Sequence, residues 1–216
     1  MSDSVKQLQS IYLSMVQESK GRLEAAQVFL STYDESKSVP HLESSILQVR
    51  KALEAMAYAA IAPNKEAYEE FRSQSEQQPS FRKDFRASQI LHLLTQVNKD
   101  FYPIPLLPPI KQNNGTFHYN RQEEGFLTKK RFSKFYDRLG KYLHAHNPWS
   151  SDKQIQNLAA DIPVIIEETM ALLDLHASFI QTPHFKGVWI VCVPSNSQKP
   201  YVITGMADGE FVINAS

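Results

Sequence analysis

Apolar side chains recur at steps of three and four along most of this chain, and near its end that rhythm gives way to β-branched runs. The change of period restricts the fold class: a mainly helical body with a small terminal sheet. From residue 4 to 35, Leu8, Ile11, Met15, Leu23, Ala26 and Leu30 mark one long amphipathic helix, with Gly21 as a place to bend or divide it. A turn at 36–39 precedes a second helix over 41–62, with Pro40 suited to its first position. Leu42, Ile46, Val49, Leu53 and Met56 form its stripe, and the small residues of 55–62 let another helix approach closely. Pro63 stops it, and Asn64 can cap a short helix from Lys65 to about Ser73.

A polar linker, 73–80, leads to a helix from Phe81 to Asn98 with Phe85, Ile90, Leu91, Leu94 and Val97 inward. Pro103, Pro105, Pro108 and Pro109 then end helical structure and leave an extended strap. Asn114-Gly115 marks a small hairpin. Further on, Ser151 or Asp152 can cap the longest periodic segment, through Ile155, Leu158, Ile162, Ile165, Ile166, Thr169, Leu173, His176 and Ile180, with Pro163 as a kink or a new start. Strands are expected at 188–193, 201–207 and 210–214, the last two joined at Asp208-Gly209. The expected fold is a bundle of about five or six helices over 1–185, carrying a C-terminal antiparallel meander at 186–216 packed on it.

Balanced charge, 23 basic against 23 acidic residues, argues against global attraction to nucleic acid or anionic membrane, so any such attraction must be local. One cysteine, Cys192, excludes an intrachain disulfide framework and a cysteine-rich zinc site. No secretory signal opens the chain, and no apolar run nears the ~20 residues that span a bilayer. A cytoplasmic protein without membrane contact is expected.

Local charge gathers in residues 126–149. On a helix, Phe132, Phe135, Tyr136, Leu139, Tyr142 and Leu143 share one face. Lys130, Arg131, Lys134, Arg138 and Lys141 form a stripe beside it. With Thr128 as N-cap, Lys129, Lys130 and Arg131 fill the first turn, where the helix dipole disfavours cations by ~0.3–1 kcal/mol each. Such a stripe is either a surface for phosphate or a solvated face balanced by Glu123 and Glu124. The stretch ends in His144, His146, Asn147, Pro148 and Trp149, a helix stop in which a histidine could cap the last carbonyls.

Arg138 and His144 are the candidate catalytic pair. A histidine exchanges protons near neutrality, and an arginine steadies a phosphorus gaining charge. Together they could cleave RNA without metal. On a straight helix they lie about 9 Å apart in rise and about 120° in rotation, so a substrate or a second subunit must bridge them. His146 and Asn147 are auxiliary candidates. Arg50 and Glu54, four apart, form an intrahelical pair that could also tie helices together or line the site. No metal or other cofactor is expected, because His144 and His146 lack further ligands nearby. His176 reads as a hydrogen-bonded core histidine, His92 as a surface residue and Cys192 as strand packing.

The run Arg138-Leu-Gly-Lys-Tyr-Leu-His144 resembles the Arg-x4–6-His motif of the HEPN superfamily. The order ILQVRKALEAMAYAAI, DFRASQILHLLTQVNKDFYPIP and FLTKKRFSKFYDRLGKYLHAHNPW also resembles a bacterial family with a Leu-His-Ala-x-Asn-Pro corner, here Leu143 to Pro148, and a β-rich tail. The resemblance covers about residues 40–214. It implies a HEPN-like bundle and two functions. One is a homodimeric, metal-independent endoribonuclease of a toxin–antitoxin or antiphage system, with Arg138 and His144 catalytic and Lys134 and Lys141 on the backbone. The other is a non-catalytic module binding RNA, nucleotide or a protein partner such as an antitoxin. The position after the motif arginine, usually polar in that superfamily, is Leu139.

Overall fold

The computed structural model describes residues 3–74, 80–143, 155–182, 185–194 and 199–206. The helices are α1 (Asp3–Ser36), α2 (Val39–Ile61), α3 (Lys65–Ser73), α4 (Ala87–Val97), α5 (Lys129–Lys141) and α6 (Ile155–Asp174). Single 3-10 turns at Ala62–Asn64 and Phe81–Lys83 join the pieces around α3. The strands are β1 (Ile104–Pro105), β2 (Ile110–Lys111), β3 (Phe117–His118), β4 (Leu175–Thr182), β5 (Phe185–Cys192) and β6 (Tyr201–Met206). The mainly helical reading with a small antiparallel sheet therefore holds.

α2 is the centre. Ala52, Leu53, Ala55, Met56, Ala57, Ala59, Ala60 and Ile61 are all buried, an arc wider than one amphipathic stripe that leaves only the Leu47, Lys51, Glu54 and Tyr58 side less than fully covered. α1, α4, α5 and α6 all pack against it. Alanine permits this, because a methyl group lets neighbouring backbones close in without loss of helix propensity.

α1 runs unbroken through Gly21, which does not divide it into two elements. Its buried face is Tyr12, Val16, Leu23, Ala26 and Leu30. Ile11 was expected inward and is 45% exposed, because the face turns on Tyr12 instead. Asn64 does stand at the start of α3, but its side chain caps nothing there. Its amide donates to the Ala60 carbonyl at 3.0 Å and accepts from the Asn98 amide at 2.9 Å. Asn98 Nδ2 also reaches the Phe179 carbonyl at 2.9 Å, linking α2, the end of α4 and β4.

The helix expected from Phe81 begins only at Ala87. Residues 84 and 86 are extended, and Phe85 faces solvent at 64% exposure. The cause is a long-range ion pair. Arg72 donates to both Asp84 oxygens, at 3.0 and 3.1 Å, and Tyr68 Oη donates to one at 2.8 Å. Both charged side chains are nearly buried, at 6% and 4% exposure. This geometry holds Asp84 down on α3 and keeps the chain out of helix until it has passed.

The largest departure lies after α6. The periodic run continues through His176 and Ile180, but the helix stops at Asp174 and β4 starts at Leu175 without a loop. The main sheet is antiparallel in the order β1-β4-β5-β6. Its beginning thus falls inside the stretch read as helical, and the proline strap supplies an edge strand, with Ile104 opposite Ala177 and Pro105 opposite His176. Proline is tolerated there because an edge strand can spare a donor. The one helix α6 runs through Pro163. The Asn114-Gly115 turn forms as expected between β2 and β3, with Gly115 at φ 84°. The strand at 210–214, the Asp208-Gly209 turn and the Ser151 or Asp152 cap lie outside the described residues.

β5 alternates cleanly. Trp189 and Val191 turn inward, as does Val193 just beyond the strand's end, and Trp189 meets Tyr12 of α1 edge-on at 5.8 Å between ring centroids. Polar contacts from α1 fix the join between α6 and β4. Lys20, itself buried, donates to the Asp174 carboxylate and the Val193 carbonyl. His176 is fully buried, as a core histidine, with Nε2 2.7 Å from Tyr12 Oη and Nδ1 3.2 Å from the Leu173 carbonyl.

Two predictions follow from these buried groups. Asp84→Asn leaves Arg72 as an uncompensated buried charge, and urea unfolding should show a loss of about 3–5 kcal/mol. Undiminished stability would contradict the placement of that pair. Burial lowers the His176 pKa to about 4, against an ordinary 6.5. The folded state therefore refuses a proton that the unfolded chain accepts. This contribution is intact above pH 6.5 and falls away toward pH 4, by about 3 kcal/mol in total. Comparing wild type with His176→Gln across that window should show the steeper acid loss in wild type; parallel curves would refute it.

Candidate functional site

The basic helix forms where expected. Thr128 is its N-cap, with Oγ1 accepting from the Arg131 amide at 3.4 Å. Upstream, Leu127 donates its amide to the Glu168 carbonyl at 3.0 Å, and Tyr102 Oη donates to the Leu127 carbonyl at 2.7 Å. These bonds seat the start of α5 against α6 and the β1 strap. Phe132, Tyr136 and Leu139 are buried, and Phe135, Tyr142 and Leu143 are half-buried against the core, so the aromatic face is packing.

The basic stripe divides by residue type. Both arginines are held by carboxylates of α6: Arg131 pairs with Glu168 and Arg138 with Asp161. The balancing groups are therefore on α6, not Glu123 and Glu124 as the solvated alternative supposed. Glu168 is 13% exposed, whereas Asp161 and Arg138 are open to solvent at 39% and 28%. Lys130, Lys134 and Lys141 are exposed and make no ion pair among the described residues. The difference is chemical. A guanidinium offers a planar fork that fits a carboxylate and is weakly hydrated, while an ammonium is a strongly hydrated point charge.

Arg50 and Glu54 tie helices together. They pair at 3.3 Å along α2, and both reach α5. Arg50 Nη1 donates to the Tyr136 carbonyl at 3.0 Å, and Nη2 is 2.7 Å from Tyr136 Oη. The guanidinium carbon sits 4.0 Å from the Tyr136 ring centroid, over its face. Tyr136 Oη in turn donates to Glu54 at 2.8 Å. Burial and the Glu54 bond push the Tyr136 pKa up to about 12, so the phenol stays protonated and keeps donating. This closed set is structural, since its donors and acceptors serve one another.

That contact depends on Gly140. A Cβ there would stand 2.5 Å from Arg50 Nη1. Gly140→Ala gains up to about 1 kcal/mol in helix propensity, but it displaces the guanidinium from two hydrogen bonds, at about 1–2 kcal/mol. The variant should therefore melt below wild type despite the better helix former. A higher melting temperature would show that Arg50 is not needed between α2 and α5.

Between α4 and α5 runs a groove of about 330 Å³. Lys129, Lys130 and Ser133 line one side and Ser88, His92 and Thr95 the other, with Leu91 at its base. Lys129 Nζ rests 5.6 Å from the Phe101 ring centroid. Ser88 Oγ donates to Asp137 at 3.0 Å beside the groove. Sequence reasoning placed Lys130 in a phosphate-binding role but left His92 as surface and passed over Ser88, Thr95 and Ser133. The signal was present: Ser88, His92 and Thr95 follow one another at steps of four and three, one polar face of α4.

His144, His146 and Asn147 lie outside the described residues, as do Pro148 and Trp149. Arg138 is placed, and its neighbour Leu139 is fully buried in the core, which removes that position from any chemistry at the surface. Cys192 is a half-buried strand residue, and His92 is exposed. Among the described residues, no cluster of three or more histidine, cysteine or acidic side chains could hold a metal, and no helix is long and apolar enough to cross a membrane. Comparison of the chain with protein-family models, curated proteins and solved structures finds no match.

Proposed function

We propose that this chain is a non-catalytic nucleic-acid-binding module that holds an RNA phosphate backbone along the outer side of α5. The carrying observation is the run of lysines on α5, with Lys130, Lys134 and Lys141 exposed and free of ion pairs among the described residues and with Lys129 and Lys130 lining the groove, beside which Asp137 is the acidic neighbour. Cations at a helix start are unfavourable without an anion to meet them. Phosphate oxygens accept from both ammonium and hydroxyl groups, so Ser133 complements Lys129 and Lys130, while Ser88 and Thr95 already donate to Asp137 and the Leu91 carbonyl.

The ribonuclease reading, drawn from the resemblance to HEPN proteins, receives less support. It needs Arg138 free to meet a phosphate that gains charge, and here Arg138 meets Asp161. A carboxylate beside that guanidinium opposes the approach of an anion. Binding by the lysines requires no such release and no second copy of the chain.

RNA affinity measured across a range of salt concentrations tests the proposal. Exchanging Lys130, Lys134 and Lys141 together for Gln should weaken single-stranded RNA binding and reduce the salt slope by about 2, at roughly 0.7 per phosphate contact. Equal affinity and slope in the two proteins would defeat it. Incubation of the same RNA in EDTA supplies the other arm. Cleavage that disappears in both Arg138→Ala and His144→Ala would replace this reading with the enzymatic one.

A further inference from the structure

A separate cavity of about 360 Å³ lies where the start of α1 crosses the end of α2, away from the α5 lysines. Its wall is apolar: Leu8 and Ile11 from α1, Ile61 from α2 and Phe81 from the second 3-10 turn. Ile11 is the residue that departs from the buried face of α1, and it does so here. A volume of this size, mostly apolar with a few convergent polar groups, is that of a small-molecule site.

The charged groups at this cavity are Lys65, Arg82 and Asp84. Asp84 is already occupied by the fork of Arg72 and the hydroxyl of Tyr68. Lys65 leans on Glu69 at 3.0 Å in a pair about half exposed, which water weakens. Arg82 is exposed and makes no ion pair among the described residues. The residual charge over an apolar pocket is therefore positive. Asp84 and Glu69 nearby limit how much negative charge can enter, which favours a single carboxylate over a doubly charged phosphate. A guanidinium fork also fits a planar carboxylate.

From these observations we infer that the cavity is a binding site for a small amphiphilic carboxylate, an alkyl or aryl chain ending in one anionic group. The chain packs on Leu8, Ile11, Ile61 and Phe81, and the carboxylate meets Arg82 and Lys65. The site is independent of RNA binding and of the α5 lysines.

Titration of the full chain with decanoate below its micellar concentration, followed calorimetrically and by NMR of the isoleucine methyl groups, tests this. Saturable one-to-one binding that shifts Ile11 and Ile61 is expected. Arg82→Gln with Lys65→Gln, both surface changes that should leave the melting temperature unaltered, should weaken decanoate about tenfold while decanol binding stays the same. Three results would each overturn the inference: no saturable binding, equal decanoate affinity in wild type and the double variant, or decylammonium binding more tightly than decanoate. Unchanged shifts at Ile11 and Ile61 in a decanoate complex would place the ligand elsewhere and count equally against it.

Discussion

A helix that meets four others around most of its circumference must be narrow, and the dense alanines of α2 make it so. Ala52, Ala55, Ala57, Ala59 and Ala60 let α1, α4, α5 and α6 share one axis of contact. Larger residues would push the surrounding helices outward and open gaps that packing at crystal-like density does not allow. Polar groups then fix the register of this centre at two levels. Arg50 and Glu54 lock α5 at the middle of α2, and Asn64 with Asn98 locks α4 and the sheet just past its C-terminal end. The basic helix stands where it does because its inner face and the Arg50 guanidinium both key into α2.

Much of the helical part was legible from local signals, because spacing, caps and proline positions act within a turn or two. The Thr128 cap, the extent of α1 and the Asn114-Gly115 hairpin are examples. What escaped depends on partners far along the chain. Phe85 was read inward because Ile90 and Leu94 continue its spacing, but the Arg72–Asp84 pair holds that segment extended. His176 and Ile180 continue the period of α6, but β4 forms because β1 and β5 flank it, and the nearer of those is more than seventy positions from the farther. Short apolar runs fit either period, and only the assembled sheet decides between them.

The candidate site shows the same division. The stripe on α5 was readable as charge, but nothing local says which of its cations have partners. Asp161 and Glu168 on α6 claim the arginines and leave the lysines to solvent. The groove was hidden for a different reason. Ser88, His92 and Thr95 sit on α4, and Ser133 with the ammonium groups sits on α5, with the proline strap and hairpin between them in sequence. His144, His146 and Asn147 carry the other half of the sequence reading, and they fall outside the described residues.

The loopless join between Asp174 and Leu175 bears on how this chain can change its length. A strand presents alternate residues to opposite sides, so one residue added at the join would send His176, Ser178 and Ile180 outward and their neighbours inward. Lys20 and Tyr12 leave no slack to absorb the slip, since each grips one flank of the join from the middle of α1. The β2–β3 hairpin is the opposite case, exposed along nearly its whole length and bonded mainly to itself. Insertions and deletions have room to accumulate there, whereas the spacing from α6 into β4 is fixed to the residue.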